Sequence, residues 1–154
     1  MPALTVREPS PLLYPLLART LPAALARLVP LDRQADLLVL VPGCDPSPLI
    51  PCRTLLIPGQ SDLPALSAAQ AVSYGPSPKD TLTFSSLEAG TLVLSLQRKI
   101  VTLAGTHLDR QEFPVPDRGG IDLTLAWAGT LLLAGIPPEQ LAGMPRTMPA
   151  PPAP

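Results

Sequence analysis

Apolar positions along this chain follow three different spacings. Between residues 10 and 30 the leucines recur at helical intervals, Leu12, Leu13, Leu16 and Leu17, then Leu21, Leu25 and Leu28. Ser10-Pro11 opens that stretch as a hydroxyl cap followed by proline at the first helical position, and Thr20 with Pro22 repeats the signal. Two short helices, or one kinked at Pro22, are predicted. From Leu37 the spacing gives way to short apolar runs, Leu37–Val41, Thr54–Ile57 and Ala71–Tyr74, as in parallel strands covered on both faces. Pro48 and Pro51 deny a helix between the first two, while Leu63–Gln70 has room for a helical turn or two.

From Asp80 the residues alternate. Thr81–Ser85, Gly90–Leu96, Ile100–Leu103 and Thr106–Val115, with turns at Glu88-Ala-Gly90 and Ala104-Gly105, predict an antiparallel meander that ends at Pro114 and Pro116. After the loop Asp117-Arg-Gly-Gly120, Asp122 is placed to cap an apolar helix over Leu123–Ala134 and Gly135 to stop it. Pro137-Pro138 then begins a short helix through Leu141. The expected fold is α/β: a small three-layer domain with a short parallel sheet extended by an antiparallel meander, and helices at both ends of the chain. Residues 1–34 read as a helical segment packing on the domain, 35–143 as the domain, and 144–154 as a proline-rich disordered tail.

Composition narrows the function classes. The 154 residues are 46% apolar and 15% charged, enough for a real core in one domain. Net charge is -1 with no Lys/Arg cluster, and the aromatics are few, so neither a phosphate-backbone footprint nor a base-stacking platform is present. The first ten residues hold Glu8 and no apolar segment, unlike a signal peptide, and the longest apolar run, Leu123–Ile136, is shorter than the ~20 residues that span a bilayer. A cytoplasmic protein with no membrane or nucleic-acid partner is expected.

Candidate chemistry clusters at strand ends. Val41-Pro-Gly-Cys-Asp45 and Ile57-Pro-Gly-Gln-Ser-Asp62 each follow a buried strand, where open α/β sheets form their ligand crevice. Asp45, Gln60, Ser61 and Asp62 converge on one ligand if those strands are neighbours; otherwise they are ordinary turn residues. In Tyr74-Gly-Pro-Ser-Pro-Lys-Asp80, Ser77 and Lys79, with Asp80, are either an anion site or a solvated loop whose aspartate caps a turn. Cys44 and Cys52 match no zinc spacing, so no metal is expected. His107 has no nucleophile beside it in the sequence, and Trp127 reads as core.

The order of these motifs resembles the second half of the central domain of the Mur ligases, which add amino acids to the peptidoglycan precursor. Leu55–Asp62 is similar to that family's strand with an Asp-containing loop, and Val72-Ser-Tyr-Gly75 to its strand ending in an aromatic-Gly pair. Leu125–Leu141 is similar to its alanine-rich helix with the Gly-Ile-Pro turn. The resemblance covers about 35–143 and implies a nucleotide-dependent ligase fold. Its chemistry is not carried over. No Gly-x-x-Gly-Lys-Ser/Thr occurs, and Gly119-Gly120 stands where the family has His-Asn. With these departures, and with the chain stopping before the amino-acid-binding domain, an intact ATP-dependent ligase is not expected. The expectation is a non-catalytic, cofactor-free Mur-ligase-like module that binds a protein partner or a second copy of itself across a sheet edge left open by missing N-terminal strands. The alternative is a small-molecule binder, or an enzyme of another class, that uses the loops around Asp45 and Asp62.

Overall fold

The computed structural model describes residues 1–30, 34–44, 52–59 and 68–146. Their architecture is mixed α/β. An eight-stranded sheet has the order β10-β7-β6-β5-β4-β3-β1-β2, and a separate two-stranded ribbon pairs β8 with β9. The strands are β1 (Ala3–Arg7), β2 (Arg27–Leu28), β3 (Leu37–Leu40), β4 (Cys52–Pro58), β5 (Ala68–Tyr74), β6 (Leu82–Glu88), β7 (Thr91–Leu96), β8 (Ile100–Val101), β9 (His107–Leu108) and β10 (Gln111–Pro116). The helices are α1 (Leu13–Thr20), α2 (Ile121–Ala134) and α3 (Pro138–Ala142). Pairing is parallel from β2 through β6 and antiparallel from β6 through β7 to β10.

The first strand corrects an expectation. N-terminal strands are present: β1 lies between β2 and β3, with Leu4 paired to Leu37 and Val6 to Val39. Leu4 and Val6 are buried on the helical side and Thr5 on the other. The edge thought open is therefore filled from within the chain. Among its described residues, segment 1–34 is helical only over Leu13–Thr20; beyond Pro22 the chain turns and forms β2 instead of a second helix.

Helix α1 is amphipathic, with Leu13, Leu16 and Leu17 buried and Tyr14 exposed. Its cap is not Ser10. The Glu8 carboxylate accepts from the N–H groups of Leu12, Leu13 and Tyr14, each at 2.8 Å. Pro15, next in the first turn, has no N–H to offer.

Helix α2 is apolar all round and is buried from Thr124 to Ala134. It packs on β4–β7 and against α1 and α3. Gly129 lies against Leu56 and Leu82, allowing the close approach. Gly135 ends the helix in the left-handed conformation, as expected. Gly120, not Asp122, is the N-cap; Asp117 instead gathers the preceding loop, its Oδ1 accepting from Gly119 N–H, Gly120 N–H and the Thr124 hydroxyl. All three helices join one core with the inward residues of the sheet, while Leu38, Leu40 and Leu55 form a second cluster on the opposite face. The described residues thus show two of the three expected layers.

The expected four-stranded meander is three strands plus an inset ribbon. β10 pairs with β7, not with β9, and the break falls at Asp109-Arg110. Burial of Phe113 and Val115 holds β10 on the main core. Pro114 and Pro116 are tolerated because β10 is an edge strand. The β8–β9 ribbon docks at the amino ends of β4 and β5, where the Gln70 side chain donates to and accepts from the Val101 backbone, both at 2.9 Å. No helix among the described residues is long and apolar enough to cross a membrane.

Candidate functional site

The carboxyl ends of β3, β4 and β5 and the first turn of α2 enclose a crevice of about 320 Å³. Its described walls come from Pro42-Gly43 after β3, Pro58-Gly59 at the end of β4, Tyr74-Gly75-Pro76 at the end of β5, then Asp80 and Asp122. Such a position outside the strand ends is where open α/β sheets take ligands.

Asp80 is the floor. It is only 5% exposed. Its Oδ1 stands 1.6 Å from where a Cβ on Gly59 would lie, and its Oδ2 stands 2.7 Å from the same point on Gly75. The two strand-end glycines are thus the space the carboxylate occupies, and Gly75 also has the extended positive φ of +158°. Oδ2 accepts one long hydrogen bond, 3.2 Å from Ser77 N–H.

Tyr74 forms one wall. Its buried hydroxyl donates 2.6 Å to the Leu40 carbonyl, tying the end of β5 to the end of β3 across β4. Burial first, then the nearby Asp122 carboxylate and the Cys44 thiol, push the phenol far above its ordinary range. Its one O–H is committed to Leu40. Asp122 is exposed in the first turn of α2, where a carboxylate complements the helix dipole.

Beside the crevice, β1 runs through a turn into the N-terminus of α1, and helix N-termini in general attract anions. Here it is filled from within by Glu8, which takes the N–H groups of that terminus. Pro9 lies 3.7 Å from where a Cβ on Gly43 would be, so this turn abuts the rim of the crevice.

The residues singled out in the sequence fare differently. Asp45, Gln60, Ser61 and Asp62 lie outside the described residues. Ser77 is half-buried in the turn before β6, and its hydroxyl oxygen accepts from Lys79 N–H at 3.2 Å. Lys79 is exposed, and neither residue is among the described walls of the crevice. Among the described residues, the carboxylates that the fold brings to the crevice are Asp80, which the sequence offers either as part of an anion site or as a turn cap, and Asp122, which it offers as a helix cap. The sequence signal was available for Asp80 only as a pair of glycines, one ending each of two strands.

Cys44 and Cys52 do not meet, because one follows β3 and the other begins the parallel β4, at opposite ends of the sheet. Cys44 donates to the Arg7 carbonyl at 2.8 Å, and burial pushes both thiols up, away from the reactive thiolate form. Among the described residues no three His, Cys, Asp or Glu side chains group to hold a metal. His107 is exposed on β9. Trp127 is fully buried, donates from Nε1 to the Thr20 hydroxyl at 3.0 Å, and carries the Arg118 guanidinium 4.3 Å over its ring. No protein-family model, no curated protein and no solved structure matches this chain.

Proposed function

We propose that this protein is a non-catalytic binding module of Mur-ligase-like architecture in which the strand–turn–helix phosphate position is closed by the chain's own Glu8. The observation that carries this reading is the fate of the N–H groups at the start of α1. Leu12, Leu13 and Tyr14 all donate to Glu8, and Pro15 has nothing to donate. A phosphate arriving there meets a carboxylate of like charge and no free donor in that turn. The order of the parallel strands, the antiparallel extension and the apolar helix ending in Gly135-Ile-Pro-Pro supports the ligase-like part of the reading.

A thermal-shift series with ATP, UTP and UDP-sugars, each with magnesium, tests it. Ligands that bind the folded state raise the melting temperature by mass action. The reading expects no saturable shift with any of them. A saturable shift that survives addition of the bare nucleoside as competitor places phosphate recognition in the chain and removes the proposal.

A second reading has its own support. The crevice at the strand ends, lined by Asp80, Tyr74 and Asp122 next to the closed turn, supports a small-molecule binder. Its size is at the low end of ligand sites, about 300–1,000 Å³, and suits a small metabolite better than a nucleotide. Binding there needs neither phosphate nor catalysis.

A further inference from the structure

We propose that residues 143–146, which follow α3, form a strap that opens apart from the rest of the fold: Arg146 holds it closed, and the Arg118 guanidinium favours its release. The two arginines are chemically alike and act in opposite directions, because one has its donors met and the other does not.

Arg146 is the fastener. It is exposed, and its guanidinium reaches the turn between β6 and β7, where Nη1 donates to the Ala89 carbonyl at 2.8 Å and Nη2 to the Thr91 hydroxyl at 2.9 Å. Little else holds the segment. Met144 is half-buried against the core, while Gly143 and Pro145 are exposed. Two long backbone bonds tie it to α3, from Gly143 N–H to the Glu139 carbonyl at 3.3 Å and from Met144 N–H to the Leu141 carbonyl at 3.2 Å. Few buried apolar contacts and exposed hydrogen bonds are the marks of a segment that opens locally, below the cost of global unfolding.

Arg118 is the opposing element. Its guanidinium stacks 4.3 Å over the Trp127 ring, and its Nη1 donates to the Arg146 carbonyl at 3.2 Å. Its Nε and Nη2 are buried and have no hydrogen-bond partner among the described residues. Those two N–H groups are the edge that arginine offers to a carboxylate, and here no acceptor meets it. A charged group held away from water with unmet donors destabilises the state that buries it. Burial lowers the Arg118 pKa for the same physical reason. The stacking and the one bond at 3.2 Å offset only part of this cost. Opening the strap removes the Arg146 carbonyl and admits water to the unmet edge. The closed state is therefore held from the hairpin side and strained from the Trp127 side.

Amide hydrogen exchange, followed by nuclear magnetic resonance, tests the proposal at Gly143 and Met144. The amides of Gly135 and Ile136, bonded to the Leu131 carbonyl at the end of α2, are the reference. Arg146→Ala should speed exchange of the strap amides about tenfold and leave the reference amides unchanged. Arg118→Met keeps a long side chain on Trp127 and the backbone bond from residue 118 to the Thr124 hydroxyl, and removes the charge and the unmet donors. It should slow exchange of the strap amides about tenfold. Faster strap exchange in Arg118→Met, or failure of that variant to fold, would show that Arg118 fastens the structure and would overturn the proposal. Unchanged strap exchange in Arg146→Ala overturns it as well. So does parallel movement of strap and reference amides in both variants, which would mean that the strap opens only with the whole fold.

Discussion

Asp80 occupies the space of the side chain that Gly59 lacks: its Oδ1 stands 1.6 Å from where a Cβ would be built. The carboxylate and the glycine are on different elements, one before β6 and one at the end of β4, so each fixes the other. Gly59→Ala cannot be accommodated without moving Asp80 or the β4 end. A loss of about 1–3 kcal/mol is expected, the range of overpacking, measured by urea unfolding. An unchanged midpoint would mean that Asp80 rotates away freely and does not define the floor of the crevice.

Ala89 has φ +49°, and with Gly90 at +79° it makes the two-residue turn between β6 and β7. Hairpin turns of this kind require left-handed residues, which alanine resists and asparagine accepts. Ala89→Asn should raise stability by about 1 kcal/mol. Thermal melting at matched conditions checks it, and a lower melting point would contradict the turn geometry.

Asp117 ties down the loop that enters α2. The N–H groups of Gly120 and Gly119, with the Thr124 hydroxyl, hold its carboxyl below its ordinary value of 3.8. A carboxyl depressed in the folded state stabilises the fold above its unfolded value, and that contribution is lost as pH falls through the lower folded value. Asp117→Asn should therefore cost about 1 kcal/mol at neutral pH, with the gap to the unmodified protein closing below about pH 4. Urea unfolding across that range tests the sign. A gap that is constant with pH would show that charge plays no part.

Much of the fold was readable from residue pattern. Leu37–Leu40 is a fully buried strand because nothing polar interrupts it, and Gly135 ends α2 because only glycine takes its φ of +115° cheaply. The β6–β7 hairpin announced itself through Ala89-Gly90. What escaped was set by tertiary contact. β1 is five residues long and is a strand because β2 and β3 flank it, not because Ala3-Leu-Thr-Val-Arg7 signals one. Glu8 caps α1 from upstream of Ser10-Pro11, where the local cap signal pointed elsewhere. Asp80 looks like any turn aspartate until the two glycines that receive it are brought beside it. The crevice lies at the strand ends, beside the loops that stand out in the sequence, and neither Ser77 nor Lys79 is among its described walls.

Removing the Glu8 carboxylate should have two consequences. Glu8→Ala leaves the N–H groups of Leu13 and Tyr14 without an acceptor, while Leu12 N–H keeps the Ser10 carbonyl, at a cost of about 0.5–2 kcal/mol. It also frees those donors for a solution anion. Inorganic phosphate should then recover part of the lost stability, beyond the effect of chloride at equal ionic strength. The same stability loss with no recovery would show that the vacated turn is not an anion cradle.

The most direct measurement is a phosphate titration of the unmodified protein, following the backbone amides of Leu12, Leu13 and Tyr14 by nuclear magnetic resonance. If Glu8 closes this turn, those amides stay in place as inorganic phosphate is raised, because their hydrogen bonds are already made within the chain. Saturable movement of the three together would show phosphate displacing Glu8, and the account of a module closed to nucleotide phosphates would be wrong.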